Sequence, residues 1–109
     1  MYLIEMEITT LTQLKDIIAD NAASGKLTIC KLHATWCQPC KNMQKWLQTQ
    51  QIPENVCIVK VDVDDDEDIA NHFAVRNIPC ALKFDKSIEP IDKIVGFEPV
   101  KTAKFFGIS

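Results

Sequence analysis

The chain contains 109 residues, of which 47% are hydrophobic, and carries a formal net charge of −3 at pH 7. This length accommodates a single domain, and the apolar content is sufficient for a compact core. The excess of acidic residues argues against a nucleic-acid-binding surface. The sequence shows no basic leader followed by an apolar run and no apolar stretch long enough to span a bilayer. We therefore expect neither a signal peptide nor membrane insertion.

The first half of the chain predicts a strand, a helix, a second strand and a second helix. Thr10 and Gln13 form a candidate capping box, which marks the start of the first helix. Apolar residues recur at helical spacing after that box and again after the second strand. In chain order, the four elements are expected at residues 2–8, between Thr10 and Gly25, at 27–33 and at 38–50.

The second half predicts three strands and two helices. A β-branched run indicates the third strand, and Asp64 or Asp65 is the expected cap of the short helix after it. The last two strands are expected to form a hairpin with Lys86-Ser87 in its turn. In chain order, the elements are expected at residues 56–61, 66–73, 80–85 and 90–95, and from Glu98 to Gly107. Alternating strands and helices predict an α/β fold with a partly parallel sheet covered on both faces.

The most informative stretch is Trp36-Cys37-Gln38-Pro39-Cys40, which lies where a predicted strand gives way to a helix. Two thiols at this spacing in this position are typical of a redox site. The first turn of a helix has unpaired N–H groups and the positive end of the helix dipole, and both favour a thiolate. We predict that Cys37, nearer the helix start and more exposed, is the nucleophile. Cys40 then resolves the mixed disulfide.

The other cysteines and the acidic run have simpler interpretations. Cys30 and Cys57 lie in apolar strands, where we expect small, buried and inert side chains. Cys80 is either a core thiol, which we favour, or a regulatory thiol open to oxidation. No second Cys-x-x-Cys and no His-x-x-x-His occurs, so we expect no zinc site. The acidic run at residues 62–68 lacks the glycine and the final glutamate of a calcium-binding loop, so we interpret it as the solvated start of a helix.

Four blocks of the sequence together resemble the thioredoxin family. They occur in the family's order and close to its spacing, at residues 34–41, 60–64, 75–79 and 95–96. The resemblance covers nearly the whole chain and implies one domain at residues 1–109. It implies an α/β thioredoxin fold, with a central mixed sheet of about five strands flanked by about four helices.

The resemblance also implies a substrate groove beside Cys37. In the family, the proline that matches Pro79 forms a cis peptide bond, here with Ile78. That bond would bring the backbone of both residues against Cys37, where an extended substrate peptide could pair with it. The residues implied to form the groove are Trp36, Gln38, Pro39, Ile78, Pro79, Val95 and Gly96.

Three residues near the cysteines are predicted to tune the thiol pKa values. Lys31 occupies the position of the family's buried aspartate, which is thought to help deprotonate the resolving thiol. A charged Lys31 would stabilise thiolates and make the dithiol more oxidising, whereas a neutral Lys31 could exchange protons. Lys60 matches a family lysine. His33 stands where an aromatic residue is common, and it adds a group that titrates near neutrality.

The leading hypothesis is a thioredoxin-like protein-disulfide reductase that needs no bound cofactor, because the Cys37/Cys40 dithiol holds the electrons. The resemblance implies disulfide-containing protein substrates, thioredoxin reductase as electron donor, and a monomer without nucleic-acid or membrane partners. Five cysteines without an export signal suit a reducing compartment, so we expect the cytoplasm. Two alternatives remain open: a glutathione-coupled, glutaredoxin-like protein, and a thioredoxin-fold binding module or subunit with incidental redox activity.

Overall fold

The computed structural model describes residues 3–109, which form alternating strands and helices. The strands are β1 (Glu5–Glu7), β2 (Leu27–His33), β3 (Val56–Asp62), β4 (Cys80–Phe84) and β5 (Asp92–Val95). The helices are α1 (Leu11–Ala23), α2 (Gln38–Gln48), α3 (Asp68–His72) and α4 (Pro99–Phe106). Within this part of the chain, no helix is long and apolar enough to cross a membrane.

The strands form one mixed sheet in the order β1-β3-β2-β4-β5. β3 pairs in parallel with β1 and β2, whereas β4 pairs in antiparallel fashion with β2 and β5. β2 is therefore the central strand, and its five inner residues are all buried. The α/β class and the predicted numbers of strands and helices are confirmed.

Two apolar layers hold the helices against opposite faces of the sheet. On one face, α1 contributes Leu14 and Ile18, which lie one above the other because they are four residues apart. On the other face, α2 contributes Met43 and Leu47 with the same spacing, and α4 adds Phe106. Side chains of β2 alternate between the two layers, which is why a strand buried on both faces needs an almost continuous apolar sequence.

The ends of α1 and α4 follow local sequence chemistry. The Thr10 hydroxyl accepts the backbone N–H of Gln13, and the Gln13 side chain accepts the backbone N–H of Thr10, which completes the predicted capping box. Glu98 accepts the N–H of Lys101 at 2.7 Å at the start of α4. That helix ends at Gly107, whose φ of 74° favours glycine.

The predicted cap of α3 was wrong. The helix begins at Asp68, and its N-cap is Glu67, which makes no side-chain hydrogen bond to the helix. Neither Asp64 nor Asp65 occupies the cap position. Asp66 instead accepts the backbone N–H of Asp68 and orders the turn before the helix. An acidic run offers several equivalent carboxylates, so sequence spacing alone did not identify the first helical residue.

Three of the predicted strands were also too long, and the smallest difference is at β4, which ends at Phe84 rather than at residue 85. The described part of the first strand covers only Glu5–Glu7, and residue 2 of the prediction lies outside the described residues. β5 begins at Asp92 rather than at Pro90. Proline has no N–H to donate to a neighbouring strand, which explains why the pairing starts two residues later.

Candidate active site

The cysteine pair lies at the start of α2, directly beyond the C-terminal end of the central strand. Cys37 is the N-cap of α2, with an extended backbone, and its Sγ accepts the backbone N–H of Cys40 at 3.2 Å. Pro39 lies in the first turn, where no N–H is required. The two cysteines form a disulfide with Cα atoms 5.3 Å apart. The Cys37 sulfur is thus positioned where helix N–H groups stabilise negative charge.

Both cysteines are buried in this oxidised state. Cys37 is 4% exposed and Cys40 is 7% exposed, so the prediction that Cys37 is the more exposed of the two was wrong here. Ala34 packs with both cysteines in one small cluster, and Val63 and Ile78 pack against that cluster. Position in the helix, rather than exposure, therefore distinguishes the two thiols.

The predicted cis peptide bond between Ile78 and Pro79 is confirmed. Ile78 packs against the cysteine cluster, while the Pro79 carbonyl accepts the N–H of Gly96 at 2.8 Å. Gly96 has a φ of 84°, a conformation that glycine adopts without strain. These contacts bring three of the predicted groove residues to the same end of the sheet as the disulfide.

The remaining groove residues form the exposed rim of the site. Trp36 is 68% exposed and Val95 is 51% exposed, and Gln38 and Pro39 are also exposed. The Trp36 indole N–H donates to Asp64 at 2.8 Å, which orients the ring. Asp64 was missed by the sequence analysis, because nothing in the acidic run marks which carboxylate reaches the tryptophan.

Lys31 lies beneath α2 in a closed polar network with Glu5 and Gln44. Its ammonium forms an ion pair with Glu5 and donates to the Gln44 side-chain oxygen at 2.5 Å. Gln44 in turn donates to Glu5 at 2.5 Å. The Lys31 and Glu5 side chains are only 8% and 6% exposed. Burial lowers the pKa of Lys31, while the Glu5 carboxylate acts in the opposite direction.

A cavity of about 350 Å³ opens between α2 and the C-terminal end of β2. Its lining includes the resolving cysteine and the three residues predicted to tune the thiols, together with parts of α2: Lys31, His33, Cys40, Met43, Gln44 and Lys60. The arrangement brings all three predicted tuning residues to one space behind the disulfide. The sequence suggested each of them separately, but it did not reveal Glu5 or Gln44.

His33 is half-buried at the end of β2, and its Nε2 atom is buried without a hydrogen-bond partner among residues 3–109. Burial is the main cause that lowers the pKa of His33. Asp62 and Glu7 raise that pKa, and Lys60 and Lys31 lower it further. The imidazole is consequently neutral near pH 7, with one nitrogen able to accept a proton.

The other thiols lie away from this cavity. Cys30 is fully buried, and burial, assisted by neighbouring Cys80, raises its pKa to about 12. Cys80 is 1% exposed, and burial raises its pKa against the opposing effect of Lys93, which favours the core-thiol interpretation. Cys57 is only half-buried, so the prediction of a buried side chain was wrong for this residue. Among residues 3–109, no group of three or more potential ligands is arranged to hold a metal ion.

Comparison with known proteins identifies the family of this chain. A family model described as thioredoxin matches residues 5–105. The chain belongs to the thioredoxin family. Among curated relatives, the thioredoxin of Staphylococcus saprophyticus is 39% identical over 82 residues, which cover 73% of this chain and 77% of that protein.

A second relative and a solved structure agree with the family assignment. Thioredoxin-2 from Pyricularia oryzae is 36% identical over 98 residues, which cover 89% of this chain and 56% of that relative's length. The oxidised crystal structure of mitochondrial thioredoxin 3 from Saccharomyces cerevisiae is 30% identical, with a TM-score of 0.76. The match covers 94% of this chain and 92% of that one.

The family assignment, together with the adjacent cysteines, establishes the class of chemistry. This thioredoxin-family protein is a protein-disulfide oxidoreductase. The resemblance, the thioredoxin fold and the leading functional class predicted from the sequence are therefore confirmed.

Proposed function

We propose that this protein reduces disulfide bonds in protein substrates, with Cys37 as the nucleophile and Cys40 as the resolving thiol. The observation that supports these roles is the hydrogen bond from the Cys40 N–H to Cys37 Sγ at the N-cap of α2. This position lowers the pKa of a thiol. A thiol with a pKa of about 8.5 is roughly 3% ionised at pH 7, whereas a pKa near 7 gives about half.

The proposed reduction takes place in two thiol–disulfide exchanges. The Cys37 thiolate attacks one sulfur of the target disulfide, which forms a mixed disulfide and releases the other target sulfur as a thiolate. Cys40 then loses its proton and attacks Cys37 Sγ, forming the bond between the two cysteines and breaking the bond to the target. The target receives two electrons and two protons and leaves as two thiols, while the protein becomes oxidised.

We propose the substrate groove on the rim described above. Trp36 and Val95 offer exposed apolar surface, and Gln38 and Pro39 follow Cys37 in the chain and are also exposed. Ile78, Pro79 and Gly96 provide the floor. The indole N–H already binds Asp64, so the ring contributes apolar contact rather than a hydrogen bond. Such a surface suits extended peptides of varied sequence.

Three further groups act on the thiols from the cavity behind Cys40. The ammonium groups of Lys31 and Lys60 stabilise negative charge on sulfur, because an opposite charge nearby favours the ionised form. His33 supplies a neutral imidazole at the same space. All three therefore belong to the proposed site as groups that adjust thiol ionisation.

The proposed protein is a single-domain, monomeric electron carrier of the cytoplasm that is recharged by thioredoxin reductase and holds no bound cofactor. Support comes from the family assignment and from the dithiol, which carries the two electrons itself. The yeast relative is named as mitochondrial, so the location is tested directly by fractionating cells that express the natural protein.

Reduction of insulin disulfides tests the proposed activity. Wild-type protein, NADPH and thioredoxin reductase are expected to reduce insulin, and Cys37→Ser is expected to abolish the reaction. Cys57→Ser is the matched control, because Cys57 is a half-buried thiol outside the site. Reduction supported only by glutathione and its reductase would favour the glutaredoxin-like alternative. A folded wild-type protein that reduces nothing, with either donor, would favour the binding module.

A further inference from the structure

The cavity between α2 and the end of β2 is bordered by positive charge alone. Four lysines line it, and within residues 3–109 its lining contains no aspartate or glutamate. Two other hollows differ in this respect, since the lining of one includes Glu54 and that of the other includes Asp92. Of the residues proposed for the substrate groove, only Pro79 also lines this cavity. The cavity is therefore a separate space with its own electrostatic character.

The first two lysines come from the sheet. β2 and β3 place Lys31 directly beside Lys60, where their like charges repel each other. Burial is the main cause that lowers the pKa of Lys31, and the charge of Lys60 lowers it further. Glu5 compensates Lys31 through their ion pair, but Lys60 forms no ion pair within the described part of the chain. Glu7 and Asp62 lie near Lys60 in the sheet, but neither lines the cavity.

The other two lysines come from α2. Lys41 and Lys45 are exposed and four residues apart, so their side chains are neighbours on one side of the helix. Neither forms an ion pair with another residue of the range 3–109. Gln48 lies near the same side one turn later and adds a neutral amide to the lining. The solvent-facing side of the cavity thus carries two ammonium groups without a counterion in the protein.

The inner wall of the cavity is largely apolar. Ala34, Met43 and Pro79 are buried residues that line it beside Cys40. The cavity volume of about 350 Å³ lies at the small end of the range for ligand sites, which is roughly 300–1,000 Å³. Such sites are mostly apolar and contain a few polar groups that fix the orientation of the ligand. This lining therefore suits a compact ligand with an apolar body and a negatively charged head group.

We propose that this cavity binds a small organic dianion such as an aryl phosphate. The head group lies among the ammonium groups of Lys41, Lys45 and Lys60, and the apolar body lies towards Met43. Lysine binds phosphate as a point charge, and a doubly charged head group gains more from several ammonium groups than a singly charged one. The inference goes beyond the proposed function, because binding requires no redox step.

Titration of the oxidised wild-type protein with phenyl phosphate, followed by NMR of the backbone amides, tests the site. We expect saturable shifts in α2 and at Lys60. Lys45→Gln is expected to weaken binding by about fivefold, as for the loss of one charge pair. Lys45→Arg keeps the charge and is expected to bind like the wild type. Inorganic phosphate lacks the apolar body and phenol lacks the charge, so each is expected to bind at least about tenfold more weakly.

Lys104→Gln is the matched control. Lys104 is exposed and lines the hollow beside β5 that includes Asp92, so this variant removes a lysine from a different cavity. It is expected to bind phenyl phosphate like the wild type. Binding that is lost in Lys104→Gln but retained in Lys45→Gln would place the ligand beside β5 and overturn the inference.

Absence of saturable binding to the folded wild type at millimolar phenyl phosphate would also overturn the inference. Unchanged affinity in the folded double variant Lys41→Gln with Lys45→Gln would do the same. Equal affinity for inorganic phosphate would contradict the assignment of an organic ligand, because the apolar wall would then contribute nothing. None of these measurements depends on the reduction of insulin, so failure of the inference leaves the proposed function intact.

Discussion

The two faces of β2 place alternate residues of one strand in opposite chemical environments. Cys30 and Leu32 point into the apolar layer beneath α1, whereas Lys31 and His33 face α2 and its cavity. Both faces are buried, but within residues 3–109 the second face carries the charged side chains of Lys31 and Lys60. The comparison shows that burial alone does not decide the reactivity of a thiol in this fold. The polar and charged groups next to the thiol matter as much.

The cysteines illustrate this difference directly. In the apolar layer, burial raises the pKa of Cys30 to about 12, so this thiol stays protonated and inert. Cys37 is also buried, yet its sulfur accepts a helix N–H at 3.2 Å. The N-cap position thus supplies the stabilisation of negative charge that the apolar layer lacks.

The largest expected effect comes from removing the resolving thiol on the polar side. Cys40→Ser leaves Cys37 able to attack but unable to release its target, so turnover of insulin is expected to fall by about a thousandfold or more. A mixed disulfide with the substrate is expected to accumulate and to be visible on a non-reducing gel. Cys80→Ala, in the apolar layer, is expected to turn over like the wild type. Equal losses of insulin turnover in Cys40→Ser and Cys80→Ala would contradict the distinction between the two faces of β2.

The buried ion pair between Lys31 and Glu5 is expected to have the next largest effect, which is measured here on the stability of the protein. Lys31→Met leaves the Glu5 carboxylate buried without its counterion, because both side chains are almost inaccessible. We expect the free energy of unfolding in urea to fall by about 3 kcal/mol, typical of breaking one partner of a buried pair.

Removing the second charge as well tests the cause of that loss. The double variant Lys31→Met with Glu5→Gln is expected to have a free energy of unfolding at least about 1 kcal/mol higher than that of Lys31→Met, because no uncompensated charge remains. A double variant that is less stable than Lys31→Met would show that the two side chains contribute independently. The same measurement on Lys15→Met, at an exposed position of α1, controls for the loss of a lysine.

The smallest expected effect is a pH dependence that originates in the apolar layer. The pKa of Cys30 is raised from 9.0 to about 12 in the folded protein, so between these values the unfolded state ionises first and binds fewer protons. Stability is therefore expected to fall as the pH rises above 9, by about 1.4 kcal/mol per pH unit from this group. Urea unfolding of the wild type and of Cys30→Ala at pH 7 and pH 10 measures how much the free energy of unfolding of each falls between the two pH values.

The control for this pH dependence is Cys57→Ala, since Cys57 is only half-buried. That variant is expected to keep the wild-type fall in stability between the two pH values, whereas Cys30→Ala is expected to show a smaller fall. Parallel behaviour of wild type and Cys30→Ala would mean that Cys30 ionises as readily in the folded state as in the unfolded state.

Features that depend on a few neighbouring residues could be predicted from the sequence. The capping box joins Thr10 and Gln13, which are three positions apart, and the left-handed end of α4 needs only Gly107. The Cys-x-x-Cys pair likewise predicts a redox site from local information alone, because it lies at a strand-to-helix turn. The family's blocks then supplied the cis bond before Pro79, which spacing alone did not predict.

The cap of α3 shows where local reasoning became insufficient. Several carboxylates in the acidic run satisfy the same chemical preference, and the backbone path decides among them. The Trp36 indole meets Asp64 across 28 positions of the sequence, so no local pattern identifies that partner. The predicted exposure of Cys37 was wrong for a related reason: Val63 and Ile78, which come from distant parts of the chain, pack against the cluster that contains this cysteine.

The sequence by itself determined the alternation of strands and helices, the redox pair and the family, because each depends on local spacing or on blocks of adjacent residues. Only the tertiary structure decided the surroundings of that pair. Glu5 and Gln44 meet although 39 positions separate them, since the sheet order brings β1 near β2 and α2 crosses above both. The charge and burial of the groups behind Cys40 depend on such distant contacts, which exist only after the chain has folded.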